Sequence, residues 1–314
     1  MNNLKALKNL LSQPKKIVIV CHKNPDGDAI GSSLGLYFYL KKLDHNVSVI
    51  VPNDYPTFLK WLPDNDKVRI YEKDIKANDL LIENAQIIFT LDFNAFHRTG
   101  LMEAPLTASK AIKVMIDHHQ QPDDYAEYMY SDVAMSSTCE MVYHFIDMLG
   151  DINALDAAIG TSLYTGIMTD TGSFRFPSTT ATTHRVIADL VDKGAVNSQI
   201  HNAVFDANSE SRLQLLGCAL KNLKVLPKYK TAYIFLTQKD LDTYKFKKGD
   251  TEGFVNYGLS IEGIIFAAIF IENKQENIIK ISLRSKGDFS VNEFSRAHFH
   301  GGGCLLYTSP SPRD

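Results

Sequence analysis

The chain predicts a doubly wound α/β domain with a mainly parallel sheet, followed by a smaller α+β domain, with a catalytic cleft between the two. Three observations carry that reading. Apolar runs at 17–21, 85–91 and 111–116 are short and rich in Val, Ile and Leu, as strands buried on both faces are. They alternate with helical stretches, the pattern of a parallel sheet wound by crossover helices. Each run stops at an acid or a histidine: His22 after the first, Asp92 after the second, Asp117-His118-His119 after the third. Open α/β sheets bind ligands beyond the carboxyl ends of their strands, so the endings imply one shared crevice.

Taken in order, residues 3–13 place leucines at 4, 7, 10 and 11, a helical spacing that Pro14 ends. A strand at 16–21 leads into a turn, residues 22–32, that carries His22, Asp26 and Asp28 within seven residues. Gly27, between the two acids, permits a sharp backbone path. A helix follows at 30–43 and a strand at 46–51. Residues 52–66 hold three prolines and read as turns, with Trp61 as a packing residue. After the strands at 85–91 and 111–116, residues 137–148 read as a helix with Met141, Val142, Phe145 and Met148 on one face. Residues 154–168 form an apolar helix that runs into Thr169-Asp170-Thr171-Gly172, and a helix at 182–193 is stopped by Gly194. The first domain is thus expected over 1–194 and a partly helical linker over 195–223. The second domain, 224–303, should hold strands at 231–237, 264–271 and 278–283, a helix at 251–261, and a closing loop, Gly301-Gly302-Gly303. Residues 304–314 lack periodicity and contain two Ser-Pro steps; they read as a non-native tail and are left out of the fold.

A chain of 314 residues suits two cores rather than one. Its net charge of -3 argues against gripping long nucleic acid by a surplus of lysines. Cys21, Cys139, Cys218 and Cys304 show no paired spacing, which reads as free thiols in a reducing compartment. Residues 1–16 lack the apolar segment of a signal peptide, and no apolar stretch approaches the ~20 residues that span a bilayer. The expected location is cytoplasmic, with no membrane partner.

The chemistry concentrates in His22, Asp26, Asp28, Asp92, His118 and Asp170. Two imidazoles and four carboxylates suit two divalent ions with one carboxylate bridging, because four negative and two doubly positive charges cancel. Nitrogen and oxygen donors without thiolate favour Mn²⁺, with Mg²⁺, Co²⁺ or Zn²⁺ as alternatives. Two ions ~3.5–4 Å apart hold a bridging hydroxide and clamp a phosphoryl group. Blander readings compete at single positions. An Asp before a helix is an ordinary cap, and Asp170 with Gly172 is an ordinary turn. Arg98 and Arg175 read as structural ion-pair partners. The convergence of all six donors on strand and helix ends decides for a site.

Four stretches in order, His-Lys-Asn-Pro-Asp-Gly-Asp-Ala-Ile-Gly-Ser (22–32), Leu-Asp-Phe (91–93), Asp-His-His (117–119) and Thr-Asp-Thr-Gly-Ser-Phe (169–174), resemble the motifs of the DHH phosphoesterase superfamily. Ser-Leu-Arg-Ser (282–285) and the glycine triplet resemble its DHHA1 domain, in the branch of oligoribonucleases that also dephosphorylate 3'-phosphoadenosine 5'-phosphate (pAp). The resemblance implies a phosphoester hydrolase acting on very short RNA and on pAp, by a bridging hydroxide between two metals. It implies that His22 and Asp26 bind one metal, that Asp28, His118 and Asp170 bind the other, and that Asp92 bridges. His119 would contact the scissile phosphate or help protonate the leaving group, and Asp117 would orient the histidine pair. Arg284, Ser285, Gly301, Gly302 and Gly303 would hold the substrate's other phosphate. Cys304 departs from the family, whose glycine loop continues with a histidine. A cyclic or linear dinucleotide phosphodiesterase, a pyrophosphatase, and a nucleotide-binding module without turnover are the alternatives. By base rate, a homodimer is the expected assembly.

Overall fold

The structure is a computed structural model that describes residues 3–247, 249–275 and 277–299. The chain forms two compact units, Met1–Asp206 and Ala207–Asp314. The first unit opens with helix α1 (Leu4–Leu10) and builds a sheet from strands β1 (Lys16–Val20), β2 (Asn46–Val51), β3 (Arg69–Ile70), β4 (Ile87–Leu91), β5 (Ile112–Asp117) and β6 (Tyr128–Ser131). All six strands run parallel in the order β3-β2-β1-β4-β5-β6. The winding leaves β1 towards β2 and returns to its other side at β4. The switch point therefore lies between β1 and β4, with Ile17 paired to Asn46's neighbour Val47 on one side and to Ile87 on the other.

Burial on both sheet faces explains the unbroken apolar runs. Ile17, Ile19, Phe89 and Leu91 enter the larger core; Val18, Val20 and Ile88 enter a smaller one on the opposite face. Helices α2 (Gly27–Lys42), α3 (Ile75–Glu83), α4 (Glu103–Ala108), α5 (Thr138–Met148), α6 (Ala157–Asp170), α7 (Ala181–Asp192) and α8 (Asn197–Phe205) complete this unit. Helix α2 packs on β1, β2, β4, α5 and α6, and is buried over almost its whole first three turns. Gly27, Gly31 and Gly35 recur every four residues along the side that meets α6. A Cβ at Gly31 would stand 2.5 Å from the Ser162 carbonyl, and one at Gly35 2.5 Å from Leu163 Cδ2. Small residues let the two helices approach closely, and α6 ends at Asp170.

The second unit comprises α9 (Glu210–Lys221), β7 (Lys224–Leu226), β8 (Thr231–Leu236), α10 (Gln238–Thr243), α11 (Phe254–Leu259), β9 (Phe266–Asn273), β10 (Ile278–Ser285) and α12 (Val291–His298). Its sheet runs β10-β9-β8-β7, with β8 and β9 parallel and the outer pairs antiparallel. One face packs on α9, α10 and α11 around Phe254, Ile234 and Ile269, and the other packs Leu283 and Val291 with four phenylalanines.

Several expectations change. Helix α2 begins at Gly27, three residues earlier than the apolar pattern suggested, because Asp26 caps it by accepting from the Asp28 and Ala29 amides. β3, β6 and α3 were not expected from the pattern. Most of residues 195–223 is helix: α8 packs on α6 in the first unit, whereas α9 packs on α11 and β8 in the second. Gly301, Gly302, Gly303 and the tail lie outside the described residues.

Candidate metal centre

The site assembles from five strand or helix ends. β1 delivers His22, the cap of α2 delivers Asp26 and Asp28, and β4 delivers Asp92. β5 delivers His118 and His119, and the end of α6 delivers Asp170. His22 Nδ1 meets the Lys23 carbonyl at 2.9 Å, which fixes the ring and turns Nε2 towards the carboxylates. Nε2 lies 3.4 Å from Asp92 Oδ2 and 3.9 Å from Asp26 Oδ2. His118 Nδ1 likewise meets the Met135 carbonyl at 3.3 Å. Its Nε2 lies 3.5 Å from Asp92 Oδ1, 3.6 Å from Asp170 Oδ2 and 3.8 Å from Asp28 Oδ2. Asp92 therefore turns one oxygen to His22 and the other to His118.

Three overlapping groups have their donor atoms within 4.8 Å of one another: His22-Asp26-Asp92, Asp28-His118-Asp170 and Asp92-His118-His119. All six donors expected from the sequence converge, with Asp92 shared between the halves. Four carboxylates confined with two imidazoles, most of them buried, form a hard oxygen and nitrogen cradle that suits divalent cations.

Local backbone features hold this geometry. Asp92 has φ 64°, a left-handed conformation uncommon outside glycine, that Asn and Asp tolerate best. Asn24, at φ 57°, is clamped by Asn53, whose Oδ1 accepts from the Asn24 amide at 2.7 Å. The amino end of α5 supplies partners that sequence reasoning missed. Thr138 and Cys139 amides donate to Asp28 at 2.7 and 2.8 Å, and Thr138 Oγ1 donates to Asp92 Oδ1 at 3.1 Å. Ser136-Ser137-Thr138 was the available signal, but it marked only a helix start.

Charge coupling follows from burial. Burial and the Asp92 charge push Asp28 up to about 7, against the pull of His118 and the Cys139 amide. Burial disfavours protonated His22, but Asp92 and Asp26 outweigh it and raise its pKa to about 9. Asp92 is buried too, yet its contacts with His118 and His22 hold it well below the usual carboxylate range. His119 Nδ1 lies 2.6 Å from Asp117 Oδ1; burial nevertheless lowers its pKa, so the ring stays neutral near pH 7.

Other expected residues take different positions. Arg284 and Ser285 are buried at the end of β10 in the second unit, where Arg284 Nη1 donates to the Leu283 carbonyl and Ser285 Oγ to the Phe289 carbonyl. Arg175 Nε donates to the Gly172 carbonyl at 2.7 Å. Neither Arg98 nor Arg175 forms a salt bridge among the described residues, so the ion-pair reading of both is corrected. Both sit in polar turns, where sequence shows a cation but not whether an acid faces it.

Residues 16–167 match the family model described as DHH family, N-terminal domain. The bifunctional oligoribonuclease and PAP phosphatase NrnA of Thermus thermophilus is 29% identical over 290 residues, covering 91% of this chain and 81% of that protein. The probable enzyme of the same name from Streptococcus mutans is 28% identical, covering 96% and 92%. The crystal structure of an exopolyphosphatase-related protein from Bacteroides fragilis superposes with a TM-score of 0.93 at 41% identity, covering 96% of this chain and 88% of that one. Fold, donor set and relatives together define a hydrolase of phosphate esters that depends on divalent metal. The chain belongs to the DHH family.

Proposed function

We propose that this protein hydrolyses short oligoribonucleotides, dinucleotides above all, to mononucleotides, and dephosphorylates pAp to AMP. The observation that carries the reading is Asp92, whose two oxygens face His22 and His118 in separate halves of one donor cluster. The NrnA-named relatives, similar over most of their length, support the substrate class.

In this reading His22 and Asp26 would hold one divalent ion, Asp28, His118 and Asp170 would hold a second, and Asp92 would serve both. Mn²⁺ is the preferred ion, because the donors are oxygen and imidazole without thiolate. Bound ions supply an acidified water and neutralise phosphoryl charge. The chain's own groups do the rest. The Thr138 and Cys139 amides and the Thr138 hydroxyl fix the Asp28 and Asp92 carboxylates. Asp117 holds His119 through Nδ1, which leaves Nε2 free to take a proton from the attacking water and to pass it to the leaving ribose oxygen as its bond to phosphorus breaks. Arg284, Ser285 and the 301–303 glycines are proposed to hold the substrate's other phosphate. The protein is proposed to be cytoplasmic and homodimeric, to act without a membrane, and not to bind long nucleic acid.

The test is turnover of a dinucleotide, pAp, a cyclic dinucleotide, pyrophosphate and polyphosphate, with Mn²⁺ and with chelator, beside Asp92→Ala. Metal-dependent cleavage of dinucleotide and pAp, abolished in Asp92→Ala, is expected. Exclusive cleavage of pyrophosphate or polyphosphate would overturn the substrate assignment.

A further inference from the structure

Arg98 stands in the turns that follow β4, within residues Phe96–Met102. Its carbonyl accepts from the Lys23 amide at 2.8 Å, which ties this turn to the segment carrying His22. Its side chain does something unusual for an arginine. Nη1 is buried and has no hydrogen-bond partner, and no carboxylate pairs with the guanidinium among the described residues. A buried charged donor without an acceptor is costly, so such a group normally meets a protein acceptor or a ligand. The charge also reaches the site, where it opposes protonation of both His22 and His119.

A guanidinium offers several N–H groups in a planar fork that matches the oxygens of a phosphate. In a chain of net charge -3, an unpaired arginine in the turn tied to the His22 segment is suited to an arriving anion. We propose that Arg98 is a substrate-binding residue whose guanidinium donates to a non-bridging oxygen of the phosphoryl group under attack. This rests on the proposed phosphoester hydrolysis and adds to it a direct contact from the first unit.

The experiment compares the full chain with Arg98→Gln and Arg98→Lys. Three quantities are measured: Mn²⁺ affinity by calorimetry, inorganic phosphate affinity of the Mn²⁺-loaded protein, and kcat/KM on a dinucleotide and pAp. Arg98→Gln should bind Mn²⁺ within about twofold of the unmodified protein. It should bind phosphate roughly ten- to a hundredfold more weakly, with a parallel fall in kcat/KM. Arg98→Lys keeps the charge but loses the fork and should fall between. Unchanged phosphate affinity in either variant, absence of phosphate binding by the unmodified protein, or loss of Mn²⁺ binding in step with phosphate binding in both variants would overturn the assignment. If the unmodified protein turns over neither substrate while Arg98→Gln still loses phosphate, the substrate reading fails and the anion contact stands.

Discussion

At Asp92 a left-handed backbone, at φ 64°, and a shared carboxylate coincide in one residue. Asn keeps that backbone accessible but cannot carry the charge, so Asp92→Asn separates shape from chemistry. Its circular dichroism should match the unmodified protein, while Mn²⁺ affinity falls more than tenfold and turnover roughly a hundredfold or more. A variant that keeps full Mn²⁺ affinity would show that Asp92 is not shared between the half-sites. Thr138 acts at one remove, through its 3.1 Å hydrogen bond to Asp92 Oδ1. Thr138→Val keeps the volume and the amide bond to Asp28, and removes only the hydroxyl. Groups that orient a metal-binding carboxylate typically contribute ten- to a hundredfold in affinity, and calorimetry should find a loss of about that size.

Helix packing decides whether Asp170 reaches the centre. At Gly31 the atom nearest a new Cβ is backbone, the Ser162 carbonyl at 2.5 Å, followed by Cys139 Sγ at 3.0 Å and the Gly166 nitrogen at 3.1 Å. At Gly35 the obstacle is the end of a leucine side chain, which can turn away. Gly31→Ala should therefore cost about 1–3 kcal/mol and weaken Mn²⁺ binding by pushing α6 outward, whereas Gly35→Ala should cost less in both. Thermal unfolding and calorimetry of the two variants check this, and equal effects would contradict it. The same contrast explains what the sequence discloses at this scale. β1, β4 and β5 are buried on both faces and announce themselves as apolar runs, and the donors stand out because they terminate those runs. β3 has two residues and β6 is only half-buried throughout, so neither leaves a period to detect. The Thr138 and Cys139 amides serve Asp28 through backbone atoms, which any residue type supplies. Arg98 was visible as a cation, but its lack of a partner belongs to the folded chain.

Across the molecule, charge must be balanced either by protons or by metal, and the two alternatives oppose each other in pH. Asp28 has its pKa raised to about 7 and His22 to about 9. Both raised values mean that the metal-free fold holds protons the unfolded chain has already released. The Asp28 contribution to metal-free stability is complete below its unfolded value near 4 and is lost as pH rises through about 7. The His22 contribution is complete below about 6.5 and is lost as pH rises through about 9. His119, lowered by burial, works the other way, but below about 6.5. The metal-free melting temperature should therefore decline between about pH 4 and 7 on account of Asp28, and between pH 7 and 9 on account of His22. Metal binding needs both groups deprotonated, so Mn²⁺ affinity should rise over both intervals and flatten above about 9. At pH 7 Asp28 is about half protonated and His22 almost fully so, which sets a release of about one to two protons on loading. Calorimetry in buffers of different ionisation enthalpy counts those protons directly. The difference in melting temperature between loaded and metal-free protein should widen from pH 7 to 9, because one side falls while the other gains. A constant difference with no proton release would mean that the carboxylates and histidines of the cluster are not what the ions displace protons from.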